Sequence, residues 1–270
     1  LEAMRARLKE PAGRPAAALA PEARRLGRPV DNRNVLTQLD LSQALAKKRF
    51  DVELSPQQRR LSLLTRHPKF REHTVVIVFE GMDAAGKGGA IRRITGALDA
   101  RLYRIIPIAA PSDEEHAQPY LWRFWRHVPM KGSYTVYDRS WYGRVLVERV
   151  EKFASAADWA RAYSEINDFE EQLARDGGII VKYWLQISKD EQYRRFKERE
   201  KSRHKQFKIT AEDWRNRKQW DAYQVAAAEM IERSSTALAP WTLVEANDKY
   251  FCRVKVLRAL CDRVEGAIGG

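Results

Sequence analysis

The chain has 270 residues, 44% hydrophobic and 10% aromatic, which suits one large α/β domain with a buried core and excludes a disordered chain. Its 49 basic residues outnumber 36 acidic ones, and the net charge of +13 predicts a polyanionic partner: nucleic acid, anionic membrane, nucleotide or inorganic phosphate chain. No apolar run approaches the roughly 18 residues of a membrane span.

Residues 1–34, rich in Ala, Pro and Arg, read as a linker or mobile arm without a signal-peptide layout; residues 35–270 read as one domain. A helix is expected at about 41–70, with Leu54, Leu61 and Leu64 on its apolar side. Strands are expected at 74–79, 104–109, 133–137, 179–187 and 241–245. Helices are expected between and after them, at 87–99, 113–127, 140–151, 156–174, 189–202, 210–234 and 248–265. Short β-rich runs alternating with helices predict an α/β fold, a five-stranded parallel sheet covered on both faces. Ligands of such sheets sit at the C-terminal ends of the strands. Cys252 and Cys261 fall in the last helix, about 13 Å apart along its axis. That is too far for a disulfide, so free thiols in a reducing, cytoplasmic setting are expected.

The first strand runs into "GMDAAGKGG", a G-x-x-x-x-G-K loop from Gly81 to Lys87 followed by a helix. Backbone N–H groups along the loop (Gly81, Ala84, Ala85, Gly86, Gly88, Gly89) can converge on an anion, and Lys87 adds a full charge. Gly88 stands where such loops normally carry the Ser or Thr that binds magnesium. Asp138, at the end of the third strand in "VYDRSWYGR", is a candidate second metal ligand, with Arg139 and Arg144 next to it. Asp83 and Asp138 together offer two carboxylates, a normal complement for magnesium. Read alone, Asp83 is equally a turn residue.

The stretch 191–208 carries Arg194, Arg195, Lys197, Arg199, Lys201, Arg203, Lys205 and Lys208 against Glu191, Glu198 and Glu200. It reads either as a solvated helix face with i,i+4 pairs such as Glu191–Arg195, or as a lid whose arginines close over a phosphoryl group. Trp122 and Trp125, three apart, are expected to pack into the core. No His/Cys spacing suggests zinc, and no nucleophile elbow is present.

Taken together, "GMDAAGKGG", "APSDEE" (110–115), "DRSWYGR" (138–144), the basic stretch after "WLQISKDEQYRRF" and "APWTLVEANDK" (239–249) resemble the second family of polyphosphate kinases. The resemblance runs from about residue 35 to the C-terminus, and loops of that family also lack the hydroxyl after the lysine. It implies a P-loop kinase fold like that of thymidylate kinases, with a helical basic lid at about 190–210. It also implies phosphoryl exchange between polyphosphate and adenine nucleotides, with magnesium as cofactor and manganese able to replace it. A homo-oligomer with no nucleic-acid or membrane partner is expected on the same ground. "AQPYLWRFWRHVP" and "YGRVLVERVE" resemble the polyphosphate:AMP branch, whose members often contain two fused copies of the domain. A chain opening at Leu1 with this leader would suit the C-terminal copy.

The expected reaction is direct in-line transfer to AMP. Lys87, Arg195, Arg199, Lys205 and Lys208 neutralise the donor, Asp83 and Asp138 hold the metal, and Arg139 and Arg144 orient the phosphates. Three other readings stay open: an ADP-to-ATP enzyme of the same family, an ATP-dependent nucleoside monophosphate kinase, and a basic nucleic-acid-binding module. The last lacks any recognised reader motif in this sequence.

Overall fold

The computed structural model describes residues 34–204 and 206–269; the predicted arm up to residue 33 lies outside the described residues. The described residues form a five-stranded, all-parallel sheet of order β2-β3-β1-β4-β5. Its strands are β1 (Thr74–Gly81), β2 (Tyr103–Pro107), β3 (Tyr134–Asp138), β4 (Gly178–Gln186) and β5 (Trp241–Glu245). All five expected strands are present, β5 with the expected bounds and the other four with ends shifted by a residue or two. β1 is central and buried along nearly its whole length, as a run of β-branched and apolar residues covered on both faces should be. β2, at the edge, is largely exposed.

Helix α1 (Lys47–Leu64) buries Phe50, Leu54, Leu61 and Leu64, and its C-terminal turn ends well short of the expected 70 because Pro68 opens a separate 3-10 turn. Helix α2 (Lys87–Thr95) follows the loop after β1. The helix expected over 113–127 is two single turns, α3 (Asp113–His116) and α4 (Trp122–Trp125). Ser112 and Glu115 form a capping box that starts the first, and Pro119 separates the two. This short geometry turns Arg123 and Phe124 inward. The expectation for the tryptophans is therefore corrected: Trp125 is 43% exposed, and Phe124 is the fully buried ring. Trp122 is half-buried beneath the Arg126 guanidinium.

The segment expected as one helix over 140–151 is a 3-10 turn (Trp141–Arg144) and α5 (Val147–Val150). Ser155 caps α6 (Ala156–Arg175), and Ser188 caps α7 (Lys189–Lys201). The helix expected over 210–234 breaks at Gln219 into α8 (Ala211–Lys218) and α9 (Trp220–Ser234). Helix α10 (Lys249–Ile268) starts from an Asp248 cap and packs against both α1 and α2. Cys252 and Cys261 are buried free thiols, and burial pushes Cys252 up to about 12. No helix among the described residues is long and apolar enough to cross a membrane.

Candidate active site

The loop between β1 and α2 is shaped by close backbone approach. A side chain on Gly81 would place its first carbon 2.5 Å from the Leu185 carbonyl oxygen, and Gly81 has φ +145°. Gly86, at φ +106°, starts α2. Ala84 (φ 63°) and Arg139 (φ 67°) also adopt left-handed backbone, so two of the three described non-glycine residues with positive φ lie just past the ends of β1 and β3; the third is Lys152.

Two cations hold the loop from behind. The Lys87 ammonium donates to the Gly81 carbonyl at 2.7 Å. Arg195, on α7, donates to the carbonyls of Ala84 (2.9 Å) and Ala85 (3.1 Å), and also to Ala246 and Asn247. With the loop's carbonyls so occupied, its amides are left to face a ligand. Two of the amides named above already carry internal bonds: Ala85 N–H donates to the Met82 carbonyl, and Gly89 N–H to that of Gly86. Burial lowers the Lys87 pKa and the nearby Arg139 adds to this, while Asp83, Asp138 and Glu80 oppose it.

Asp83 is the meeting point of three segments. Arg139 approaches one of its oxygens at 3.3 Å, and the Asn216 amide of α8 donates to the other at 3.1 Å. Gln192 of α7 donates to its backbone carbonyl at 3.2 Å. The cleft in front is walled by Glu80, Met82, Asp83, Arg139, Gly143, Leu146, Trp184 and Tyr223 among others. Asp138 ends β3 beside Phe79 in the sheet register and is half-buried.

Among the described residues no group of three or more His, Cys, Asp or Glu side chains would cage a metal ion. Asp83 and Asp138 supply two carboxylates near Lys87. That set fits a hard divalent ion which takes its remaining ligands from water and phosphate oxygens.

Not every expected residue reaches the cleft. Arg144 is held 4.1 Å over the Tyr120 ring and pairs with Glu148 at 3.1 Å. Arg199 is half-buried in the field of Asp213 and Asp83. Lys205 and the Lys208 side chain lie outside what is described. The two readings of the basic stretch divide between neighbouring residues. Arg194 pairs along the helix with Glu191 and Glu198, and Lys197 with Glu200, as a solvated face would. Arg195, although it also pairs with Glu191, turns onto the loop.

Two buried charges, one in the cleft wall and one in the core behind the turn that follows β3, do not stand out in the sequence. Glu80 is 5% exposed, accepts the Ser140 hydroxyl at 2.8 Å and is pushed by burial up to about 7. Lys182, fully buried in β4, donates to Glu170 (2.7 Å), Tyr142 (2.8 Å) and the Ser234 carbonyl (2.7 Å) directly behind the 3-10 turn. The signal that could have found them is a charged residue inside an apolar run, "IIVKYWL", and another ending one, "VVIVFE".

The family model of polyphosphate kinase 2 matches residues 44–268. The chain belongs to the polyphosphate kinase 2 family. A Pseudomonas aeruginosa protein named polyphosphate:AMP phosphotransferase is 60% identical over 92% of this chain and 50% of its own length. The chain thus spans about half the length of that relative. An ADP-polyphosphate phosphotransferase of the same organism is 39% identical over 84% of this chain and 75% of its own length. The crystal structure of polyphosphate kinase 2 from Arthrobacter aurescens TC1 superposes with a TM-score of 0.82 at 35% identity, covering 88% of this chain and 87% of that one. With this family comes the P-loop kinase fold, which accounts for the strand order and for the loop at the end of the central strand.

Proposed function

We propose that this chain transfers a phosphoryl group between inorganic polyphosphate and AMP, with ADP as product. One observation carries the choice of acceptor: the 60% identity to a polyphosphate:AMP phosphotransferase, against 39% to an ADP-polyphosphate phosphotransferase. The geometry supports the reaction class. Loop amides and Lys87 converge at the end of the central strand, Asp138 and Arg139 end its neighbour, and a cleft opens in front.

In this reading the loop amides bind the transferred phosphoryl group, and Lys87 turns from the Gly81 carbonyl to its oxygens. Arg139 sits in the cleft wall where it can orient the acceptor phosphate, whose oxygen attacks in line while the donor chain leaves. Asp83, Gln192 and Asn216 draw α7 and α8 over the loop, so that water is excluded during transfer. Magnesium, or manganese in its place, would be held by Asp138 and Asp83 and would neutralise charge between donor and acceptor phosphates. The two buried free thiols suit a reducing cytoplasm.

The test crosses AMP or ADP with polyphosphate or ATP, in the presence of magnesium, and resolves products by chromatography. ADP formed from AMP and polyphosphate is the expected result. ATP formed from ADP with AMP inert would move the chain to the second reading. Use of ATP alone as donor would overturn the proposal.

A further inference from the structure

On the face of the loop turned away from the cleft, positive charge collects without an anion to balance it. Arg253 lies one turn into α10, half-buried, where α10 packs on α2. A side chain built on Gly89 would come within 3.0 Å of its Nη2, so the guanidinium rests against the first turn of α2, two residues beyond Lys87. Only the missing side chain of Gly89 lets it sit there. At Gly88 the space is open, with nothing within 4 Å of where a side chain would begin.

Among the described residues neither Arg253 nor Arg93 has a carboxylate partner or an acceptor for its guanidinium. Their neighbour Arg195 cannot share one, because its pair with Glu191 and its four backbone carbonyls use the whole fork. Burial lowers the Arg253 pKa, and the charges of Arg93 and Arg195 lower it further. Such a cluster is stabilised by a ligand bringing several negative charges at once. None of Gly88, Gly89, Arg93 and Arg253 lines the cleft. A phosphoryl group held by the loop would therefore have the acceptor on one side and this basic ledge on the other, the two directions in-line transfer requires.

We propose that Arg253, with Arg93 beside it, selects the donor by binding phosphates of a polyphosphate chain beyond the one held in the loop. A nucleoside triphosphate has only two phosphates beyond the transferred one before its uncharged nucleoside begins, whereas a polyphosphate chain keeps supplying negative charge to the cluster. This inference rests on the proposed polyphosphate reaction and goes beyond it by naming the residues that discriminate between donors.

The experiment compares the parent chain with Arg253→Gln and Arg93→Gln, measuring KM for long-chain polyphosphate, for tripolyphosphate and for AMP. Loss of one charged contact should raise KM for the long chain about tenfold, with a smaller rise for tripolyphosphate and none for AMP. Direct titration with long-chain polyphosphate, without divalent metal, should weaken in parallel and lose part of its salt dependence. If the parent makes no ADP from AMP and polyphosphate, the functional reading itself fails. If the parent is active and both variants keep its KM for long-chain polyphosphate, only the ledge is overturned. An equal rise in KM for AMP would likewise overturn it. Should Arg253→Gln fail to fold, Arg93→Gln carries the same expectation, and an unchanged KM for the long chain in that variant overturns the ledge by itself.

Discussion

Glu80 and Glu170 are both buried carboxylates, and they bond to successive residues of the segment that follows β3. Glu170 is fully matched. One oxygen meets the Lys182 ammonium, and the other accepts from Trp141 and Tyr142. Glu80 receives hydrogen bonds from Ser140 alone, its hydroxyl and its backbone N–H, while the cations near it bond elsewhere: Lys87 to a carbonyl and Arg139 to Asp83. Beneath the turn the protein balances its own charge. At the loop it leaves charge that an anion entering the cleft would balance, as the proposed transfer requires.

The largest effect should come from the unbalanced side. Lys87→Ala removes the cation at the loop and should lower kcat of the proposed transfer by about a hundred- to a thousandfold. Asp138→Asn should act on the same scale. Unfolding midpoints should stay near that of the parent, because neither side chain bridges core elements. Near-full activity in either variant would remove that residue from the mechanism.

The balanced side should respond in stability. Glu170→Leu strands the Lys182 ammonium in the core and should cost about 3–5 kcal/mol. Lys182→Met combined with Glu170→Leu removes both charges and should recover most of that loss in a denaturant titration. A double variant as unstable as the single one would mean that packing, not charge, dominates here.

Glu80 should show its imbalance as a pH dependence. Burial raises it from 4.5 to about 7, so the folded protein binds this proton more tightly than the unfolded chain does. The contribution is fully present below pH 4.5 and is lost as pH rises towards about 7, a fall of roughly 3 kcal/mol in stability. Glu80→Gln should flatten that part of the curve, read by thermal or urea unfolding without metal. An unchanged slope would assign the dependence to another group.

How much of this was open to sequence reading depended on how local each cause is. β1 and β4 were legible because an apolar run bounded by turn residues reads as a buried strand. The loop was legible because its glycines and Lys87 fall within nine residues. The break at Pro119 has a signal in the sequence, the proline itself, whereas no Pro or Gly marks the one at Gln219. Arg194 and Arg195 are the same residue type in the same run; which faces the loop depends on the path of α7 over β1, not on composition. The Glu170–Lys182–Tyr142 cluster joins three separate elements, and a single charge inside a strand does not name its partners.

The smallest effect tests how the two sides are joined. Asn216 reaches 133 residues back along the sequence to bond Asp83. Its helix is tied down behind by Glu151, which pairs with Arg215 at 3.2 Å and accepts from Gln219 at 2.7 Å. Asn216→Ala removes one hydrogen bond to a charged group and leaves that tether intact. The loss should be about 1.5 kcal/mol, read as a roughly tenfold rise in KM for AMP with a smaller change in kcat. A fall in kcat alone would mean that Asn216 acts in the transfer step and not in closing α8 over the acceptor. If nothing changes, the tether at Glu151 is enough to hold α8 over the cleft, and Asp83 is fixed by Arg139 alone.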